Sequence, residues 1–100
     1  MVNRIAFINS VSGINYPEMI VDFFDHFIAL KQLVEDSGSV NVLKSENNSI
    51  SFQVDFISKE YKDQMINLVN SLGGSIIIYG RPIGISLINI SDISVQVNLI

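Results

Sequence analysis

Carboxylate side chains are concentrated in one short segment, and their type and spacing suit the electrostatic binding of a basic partner. Between Asn15 and Gly38 the sequence contains five acidic residues and one basic residue, Lys31, so this segment carries a net charge of −4. The rest of the chain contains five acidic and five basic residues and is neutral. Because complementary charge steers association, this segment is the strongest candidate for a docking surface.

The spacing of these polar side chains places several of them on one side of a predicted helix over residues 18–36. Successive helical residues are rotated by about 100°, so the set falls within about 40° of one line. Like charges at this spacing destabilise a helix slightly, and only Glu35 has a basic neighbour at helical spacing, Lys31. The alternative is an ordinary solvated helix face. We predict that the partner-binding residues are Glu18, Asp22, Asp25, Gln32 and Asp36.

Other residues that can do chemistry form weaker patterns. His26 lies beside Asp22 and Asp25, but one histidine without a second nitrogen ligand makes a poor transition-metal site, so we expect a partly exposed helix side chain. The loop over residues 10–17 precedes a helix but has one glycine and no lysine, unlike phosphate-binding loops. Arg81 is expected to be solvated at a hairpin tip. We predict no catalytic residue, no cofactor and no metal ligand.

Composition excludes several classes of protein. The chain has 100 residues, 48% of them hydrophobic and 16% charged, which is typical of a folded domain rather than a disordered segment. It has no cysteine, which excludes disulfides and thiolate metal sites. The acidic net charge disfavours direct nucleic-acid binding. We expect one domain over residues 1–100 and a cytoplasmic protein with no membrane-spanning segment.

Hydrophobic periodicity predicts the elements that position these residues. The helix over 18–36 follows Pro17, carries an apolar stripe at i, i+3, i+4 and i+7 spacing, and ends at Gly38 as a left-handed cap. A second helix, over 59–72, has Ser58 as its N-cap and Lys62 on its outside. Alternating apolar residues and turn residues predict strands over 4–9, 39–45, 50–56, 75–79, 83–90 and 93–99, with a tight turn at Glu46–Ser49.

The order of these elements predicts an α+β fold. The first six match the ferredoxin-like split β-α-β arrangement (βαββαβ), with both helices on one face of an antiparallel sheet. The two extra C-terminal strands then extend the sheet at its edge. They contain one ionised side chain, Asp92, whereas natural edges usually carry protective charges. One possibility is that a second copy of the chain or a partner covers these two C-terminal strands. The other is that the two strands curl over the open face of the sheet and complete the core.

Two functions from different classes are consistent with these features. Small, acidic, cysteine-free domains without catalytic residues resemble bacterial immunity proteins and antitoxins in size, charge and fold class. This resemblance implies a non-enzymatic inhibitor that masks a basic, nuclease-like toxin through the acidic helix face. The alternative is a small-molecule-binding regulatory domain of ferredoxin-like type that acts as a homodimer through its C-terminal edge strands. An enzyme is disfavoured, because no nucleophile–base pair is evident.

Overall fold

The computed structural model describes residues 18–46 and 49–100, and within them the chain forms three helices and five strands. The helices are α1 (Glu18–His26), α2 (Ile28–Ser37) and α3 (Lys59–Asn70). The strands are β1 (Gly38–Ser45), β2 (Ile50–Phe56), β3 (Ser75–Ile78), β4 (Arg81–Ile88) and β5 (Ser94–Leu99). The predicted mixed α+β class is confirmed.

The strands form one antiparallel sheet in the order β1-β2-β5-β4-β3. The hairpins β1–β2 and β3–β4 join neighbouring strands, and β5 lies between β2 and β4. The expectation that the two C-terminal strands extend the sheet at its edge was therefore wrong. β5 is central, β4 is its inner neighbour, and the edges of the described sheet are β1 and β3.

The core lies between the helices and one face of the sheet. In β2 the residues alternate strictly, and Ile50, Phe52, Val54 and Phe56 are buried. Phe52 contacts two rings of α1, with centroid distances of 6.0 Å to Phe23 and 5.7 Å to Phe24. The opposite face is polar: the Ser51 hydroxyl donates to Asn98 Oδ1 over 2.7 Å, and Gln96 pairs with Gln53 in register.

The helix predicted over residues 18–36 is interrupted at Phe27. This residue has φ −127° and ψ 69°, so α1 ends before it and α2 begins after it. The Phe27 ring is buried and lies edge-on to Phe23 at 6.0 Å. The ring is buried at the point where the helix is interrupted. The apolar stripe continues from α1 to α2 because both helices pack on the same core.

Three local predictions need correction. Gly38 is extended, with φ −138°, and is not a left-handed cap; a Cβ there would lie 3.2 Å from the Asp55 carbonyl oxygen, so close approach to β2 favours glycine. Ser58 does precede α3, but its side chain makes no capping hydrogen bond. Lys62 is buried rather than outside, since its stem lies along the apolar side of α3 while its ammonium group reaches Asp63.

The strand predicted over residues 4–9, the loop over 10–17 and residues 47–48 lie outside the described residues. The ferredoxin-like order is therefore not established, because its first strand belongs to that part. The turn predicted at Glu46–Ser49 is flanked by a hydrogen bond in which the Glu46 N–H donates to the Ser49 carbonyl oxygen over 2.8 Å. None of the described helices is both long enough and apolar enough to cross a membrane.

Candidate functional site

Two of the predicted acidic residues, Glu18 and Asp22, form a row along α1, and we call this pair the acidic row. They are four residues apart, so they lie on the same side of the helix. Glu18 is exposed and Asp22 is partly exposed. His26 continues the line: its Nδ1–H donates to the backbone oxygen of Asp22 over 2.8 Å. No lysine or arginine occurs in α1, so the row combines two carboxylates with a helix that lacks strong cations.

Asp25 pairs with a basic residue of the next helix. Lys31 Nζ in α2 lies 3.3 Å from Asp25 Oδ1, and both side chains are largely shielded from solvent. The sequence gives a basic neighbour at helical spacing only to Glu35, whereas in the structure Lys31 pairs with Asp25 across the break between the two helices. Lys31 reaches Asp25 because the break at Phe27 lets the two helices approach in a way that one continuous helix does not allow.

Gln32 and Asp36 form a second row on α2. They are also four residues apart and both are exposed. Because α1 and α2 are separate helices, the five predicted residues do not lie on one line. The structure instead brings together Glu18 with Asp22, and Gln32 with Asp36, with the Asp25–Lys31 pair at the junction. Elsewhere on α2, one buried carboxylate oxygen, Glu35 Oε1, has no hydrogen-bond partner among the described atoms.

The β3–β4 hairpin adds two residues that the sequence analysis did not select. Tyr79 is 75% exposed, and its ring lies edge-on to the His26 ring with centroids 4.8 Å apart. Ile77 on β3 is 63% exposed. The acidic row, His26 and Tyr79 therefore follow one another from α1 to the hairpin. The sequence signal that could have located this turn is Tyr79-Gly80 between two strand-like segments. Such a two-residue turn usually has asparagine rather than tyrosine before the glycine.

Charge around the hairpin is sparse. Arg81, predicted at a hairpin tip, is exposed at the start of β4, directly after the two-residue turn Tyr79-Gly80. No group of three or more histidine, aspartate or glutamate side chains within residues 18–46 and 49–100 is arranged to hold a metal ion. The arrangement offers carboxylates, an imidazole, a phenol ring and an apolar strand, which are groups suited to protein binding.

Two carboxyl groups with perturbed pKa lie away from these residues. A hydrogen bond from Lys62, at 2.9 Å, lowers the pKa of Asp63, and the charges of Lys62 and Lys59 add to this effect. A hydrogen bond from Lys44, at 3.1 Å, lowers the pKa of Glu46, together with the charge of Lys44 and the Ser49 hydroxyl. Both carboxyl groups lie at the surface and away from the acidic row, so these pairs concern stability rather than the candidate site.

An open cavity with a mixed polar and apolar lining lies between the end of α3 and β4. Its volume is about 500 Å³, within the usual range of small-molecule sites. Ile66 and Val69 of α3 line one side, and Ile85 and Leu87 of β4 line the other. Asn70, Gly73 and Gly74 also line the cavity. The cavity was not among the sequence predictions, because it depends on how α3 is seated on the sheet.

Comparison with known proteins adds no further indication: no family model, curated protein or solved structure matches the chain.

Proposed function

We propose that this protein is a non-enzymatic binding module that inhibits a basic partner protein. The observation that carries the proposal is the acidic row, Glu18 and Asp22, on a helix without lysine or arginine. Like charges at this spacing reduce helix stability by a few tenths of a kcal/mol, so a binding role accounts for their placement better than a structural one. By the resemblance in size and charge noted above, the proposed partner is a nuclease-like toxin, and the protein is its immunity protein or antitoxin.

The proposed mechanism is occlusion of a basic groove. Glu18, Asp22 and Asp36 occupy positions on the partner that phosphate groups otherwise take, while Gln32 contributes a neutral hydrogen-bonding group. Asp25 takes part only indirectly, because Lys31 already compensates its charge. Charge sets the rate and specificity of association, and buried apolar and aromatic contacts supply most of the affinity. No catalytic residue, cofactor or metal is needed for this function.

A pull-down tests this proposal. The tagged protein is co-expressed with the products of the adjacent reading frames, and the complex is washed at about 50 mM and about 500 mM salt, which changes the screening length several-fold. We expect a basic protein that is retained at low salt and weakened at high salt. The double variant Glu18→Lys and Asp22→Lys should lose it.

The matched control changes the net charge equally at exposed positions elsewhere. Glu60→Lys and Asp92→Lys lie on α3 and in the β4–β5 loop, and this double variant should retain the partner. Equal loss in both double variants would mean that only the net charge matters. Retention in both would contradict the proposed surface.

The α3–β4 cavity favours a second candidate function, a regulatory domain that binds a small apolar molecule. Its aliphatic walls suit a neutral ligand, and its volume suffices for one. Filling the cavity with Val69→Phe should abolish the fluorescence enhancement of an apolar dye that binds there, whereas exposed Ile57→Phe should not. A dye response that is the same in both variants would remove the support for this candidate.

The ferredoxin-like arrangement also remains a proposal. Its support is the order of helices and strands from α1 to β3, which agrees with the predicted order once α1 and α2 are counted as one interrupted helix. Nuclear Overhauser contacts between residues 4–9 and the sheet would test it, since the ferredoxin-like arrangement requires that segment to be a strand of the same sheet. Contacts only with the helices would contradict it.

A further inference from the structure

In the described part of the chain, the C-terminal half of β4 has a strand on one side only, namely β5. β3 begins at Ser75, opposite Gly84, so its pairing with β4 stops there. One further contact follows, because the Ile85 N–H donates to the Gly74 carbonyl oxygen over 2.9 Å. The chain reaches this point from α3 through a turn in which Gly73 and Gly74 have positive φ. The rest of β4 therefore borders the α3–β4 cavity instead of a neighbouring strand.

The hydrogen bonds of the sheet identify which backbone groups of β4 point toward this side. Gly84 and Ile100 exchange two hydrogen bonds, of 2.9 Å and 3.0 Å, so they form a hydrogen-bonded pair of the β4–β5 ladder. Because such pairs alternate with non-hydrogen-bonded pairs, the pair of Leu87 with Val97 is of the second kind. The N–H and C=O groups of Leu87 therefore point away from β5. The described residues include no hydrogen-bond partner for either group.

The number of such groups limits the length of a ligand that can pair with this edge. Ile85 has the same orientation as Leu87, but its N–H already donates to Gly74. Asn89 is the next residue in the alternation, and it lies beyond the end of β4 with φ +50°. The edge therefore offers one complete pair of donor and acceptor, which suits a single extended residue better than a longer strand.

The cavity provides an uncharged environment beside these two groups. All its lining residues lie between positions 66 and 90, and none of them is charged. Aliphatic side chains of α3 and β4, such as Val69 and Leu87, form part of the lining. A charged ligand would find no counter-charge in this lining, whereas an uncharged ligand with one donor and one acceptor can pair with Leu87.

The direction of the Leu87 side chain indicates where the side chain of such a ligand would lie. Leu87 packs against the hydrophobic core, on the side of the sheet that the helices cover. Residues that lie opposite each other in a strand pair have their side chains on the same face of the sheet. A residue paired with Leu87 therefore directs its side chain toward α3 and into the cavity.

We propose that the α3–β4 cavity binds a small, uncharged acylated amino-acid amide in an extended conformation. The ligand N–H donates to the Leu87 carbonyl oxygen, the ligand C=O accepts from the Leu87 N–H, and an aliphatic side chain packs between α3 and β4. Main-chain hydrogen bonds supply affinity in this mode, and the pocket for the side chain supplies specificity. The inference rests on the second candidate function, ligand binding at this cavity, and specifies the class of ligand.

The probe for the test is N-acetyl-L-leucine methylamide, added to isotope-labelled protein and followed by NMR and amide hydrogen exchange. We expect binding at about millimolar concentration, as is usual for a ligand of this size. The bound probe should slow exchange of the Leu87 amide several-fold. The Ser86 amide, which points toward β5, should keep its exchange rate and serves as the internal control.

A matched ligand tests the hydrogen bonds without any change to the protein. Methylation of the leucine nitrogen of the probe removes the donor to the Leu87 carbonyl oxygen, and it should weaken binding about tenfold. Val69→Phe fills the cavity and should abolish binding of the unmethylated probe. Ile57→Phe, at an exposed position, should leave this binding unchanged.

Three results would overturn the inference. The first is equal binding of the two probes, and the second is no binding of either. If neither probe binds but the apolar dye still responds to Val69→Phe, the second candidate function stands and only the class of ligand is wrong. The third concerns the free protein, in which we expect the Leu87 amide to exchange much faster than the Ser86 amide. Equally slow exchange would show that Leu87 already pairs within the chain.

Discussion

At the scale of single residues, Tyr79 is the clearest case in which a side chain and its backbone conformation disagree. Tyr79 and Gly80 form a two-residue turn with φ of +51° and +75°. Such turns favour asparagine followed by glycine, because asparagine tolerates positive φ. The sequence analysis assigned Tyr79 to a strand over residues 75–79, since a tyrosine is a poor indicator of this turn conformation. The geometry of the turn therefore does not account for a tyrosine at this position.

Replacing Tyr79 with asparagine should stabilise the free protein and weaken its binding. Relief of the left-handed strain is worth about 1 kcal/mol, and loss of the edge contact with His26 offsets about half of it. Urea denaturation should show a small net gain in unfolding free energy. Tyr79→Phe keeps the strain and should leave stability unchanged. A clear loss of stability in Tyr79→Asn would mean that the ring contributes to folding.

Asp63 should give a small acid-sensitive contribution to stability. Its pKa lies below the ordinary value of 3.8 because Lys62 hydrogen-bonds to its ionised form. A group with a lowered folded-state pKa stabilises the protein above its unfolded pKa, and this contribution is lost as the pH falls through the folded value. The urea midpoint of Asp63→Asn should therefore lie below that of the wild type at pH 7, and the two should converge below pH 3.8. A difference in urea midpoint that does not change with pH would contradict this prediction. In a Lys62→Met background, the difference in urea midpoint caused by Asp63→Asn should be smaller at pH 7.

At the scale of elements, short-range patterns were predictable and changes of direction were not. The alternation in residues 50–56 predicted β2 with its observed bounds, because one face is buried and the other is polar. The break at Phe27 escaped prediction, since the apolar spacing from Phe23 to Leu30 is compatible with an unbroken helix. Only the backbone angles of Phe27, φ −127° and ψ 69°, distinguish two helices from one. The same break separated four of the five predicted residues into two rows and left Asp25 paired with Lys31 between the helices.

The contact between α1 and β2 should dominate the stability of the fold. Phe52 is fully buried against Phe23 and Phe24, so Phe52→Ala should lower the unfolding free energy by about 3–5 kcal/mol. Ile57→Ala, at a residue that is 74% exposed next to the same strand, should change it by less than about 0.5 kcal/mol. Thermal or urea unfolding measures both. Similar losses in the two variants would contradict the assignment of the core.

At the scale of the whole molecule, strand order was the part of the fold that the sequence could not supply. The pairing of β5 with β2 joins residues more than forty positions apart, such as Val54 and Val95, and no local pattern encodes it. Because β5 is central and β4 is its neighbour, the C-terminal strands are not edges of the described sheet. The edges of the described sheet are β1 and β3, and β3 lies beside the helix that carries the acidic row.

The net charge of −4 was predictable as a property of the chain, but its distribution depends on the fold. Lys31 compensates Asp25, whereas Glu18 and Asp22 lie on a helix without lysine or arginine and lead toward Tyr79. The central claim is that these two carboxylates attract a basic partner.

The most direct test is the association rate of the purified partner with the wild-type protein and two double variants, measured by stopped flow across ionic strength. Glu18→Lys with Asp22→Lys should slow association about tenfold or more at low salt, and this difference should shrink as salt is added. Glu60→Lys with Asp92→Lys, which changes the net charge equally, should slow it less than about threefold. Equal rates for the two double variants would contradict the claim that the acidic row is the docking surface.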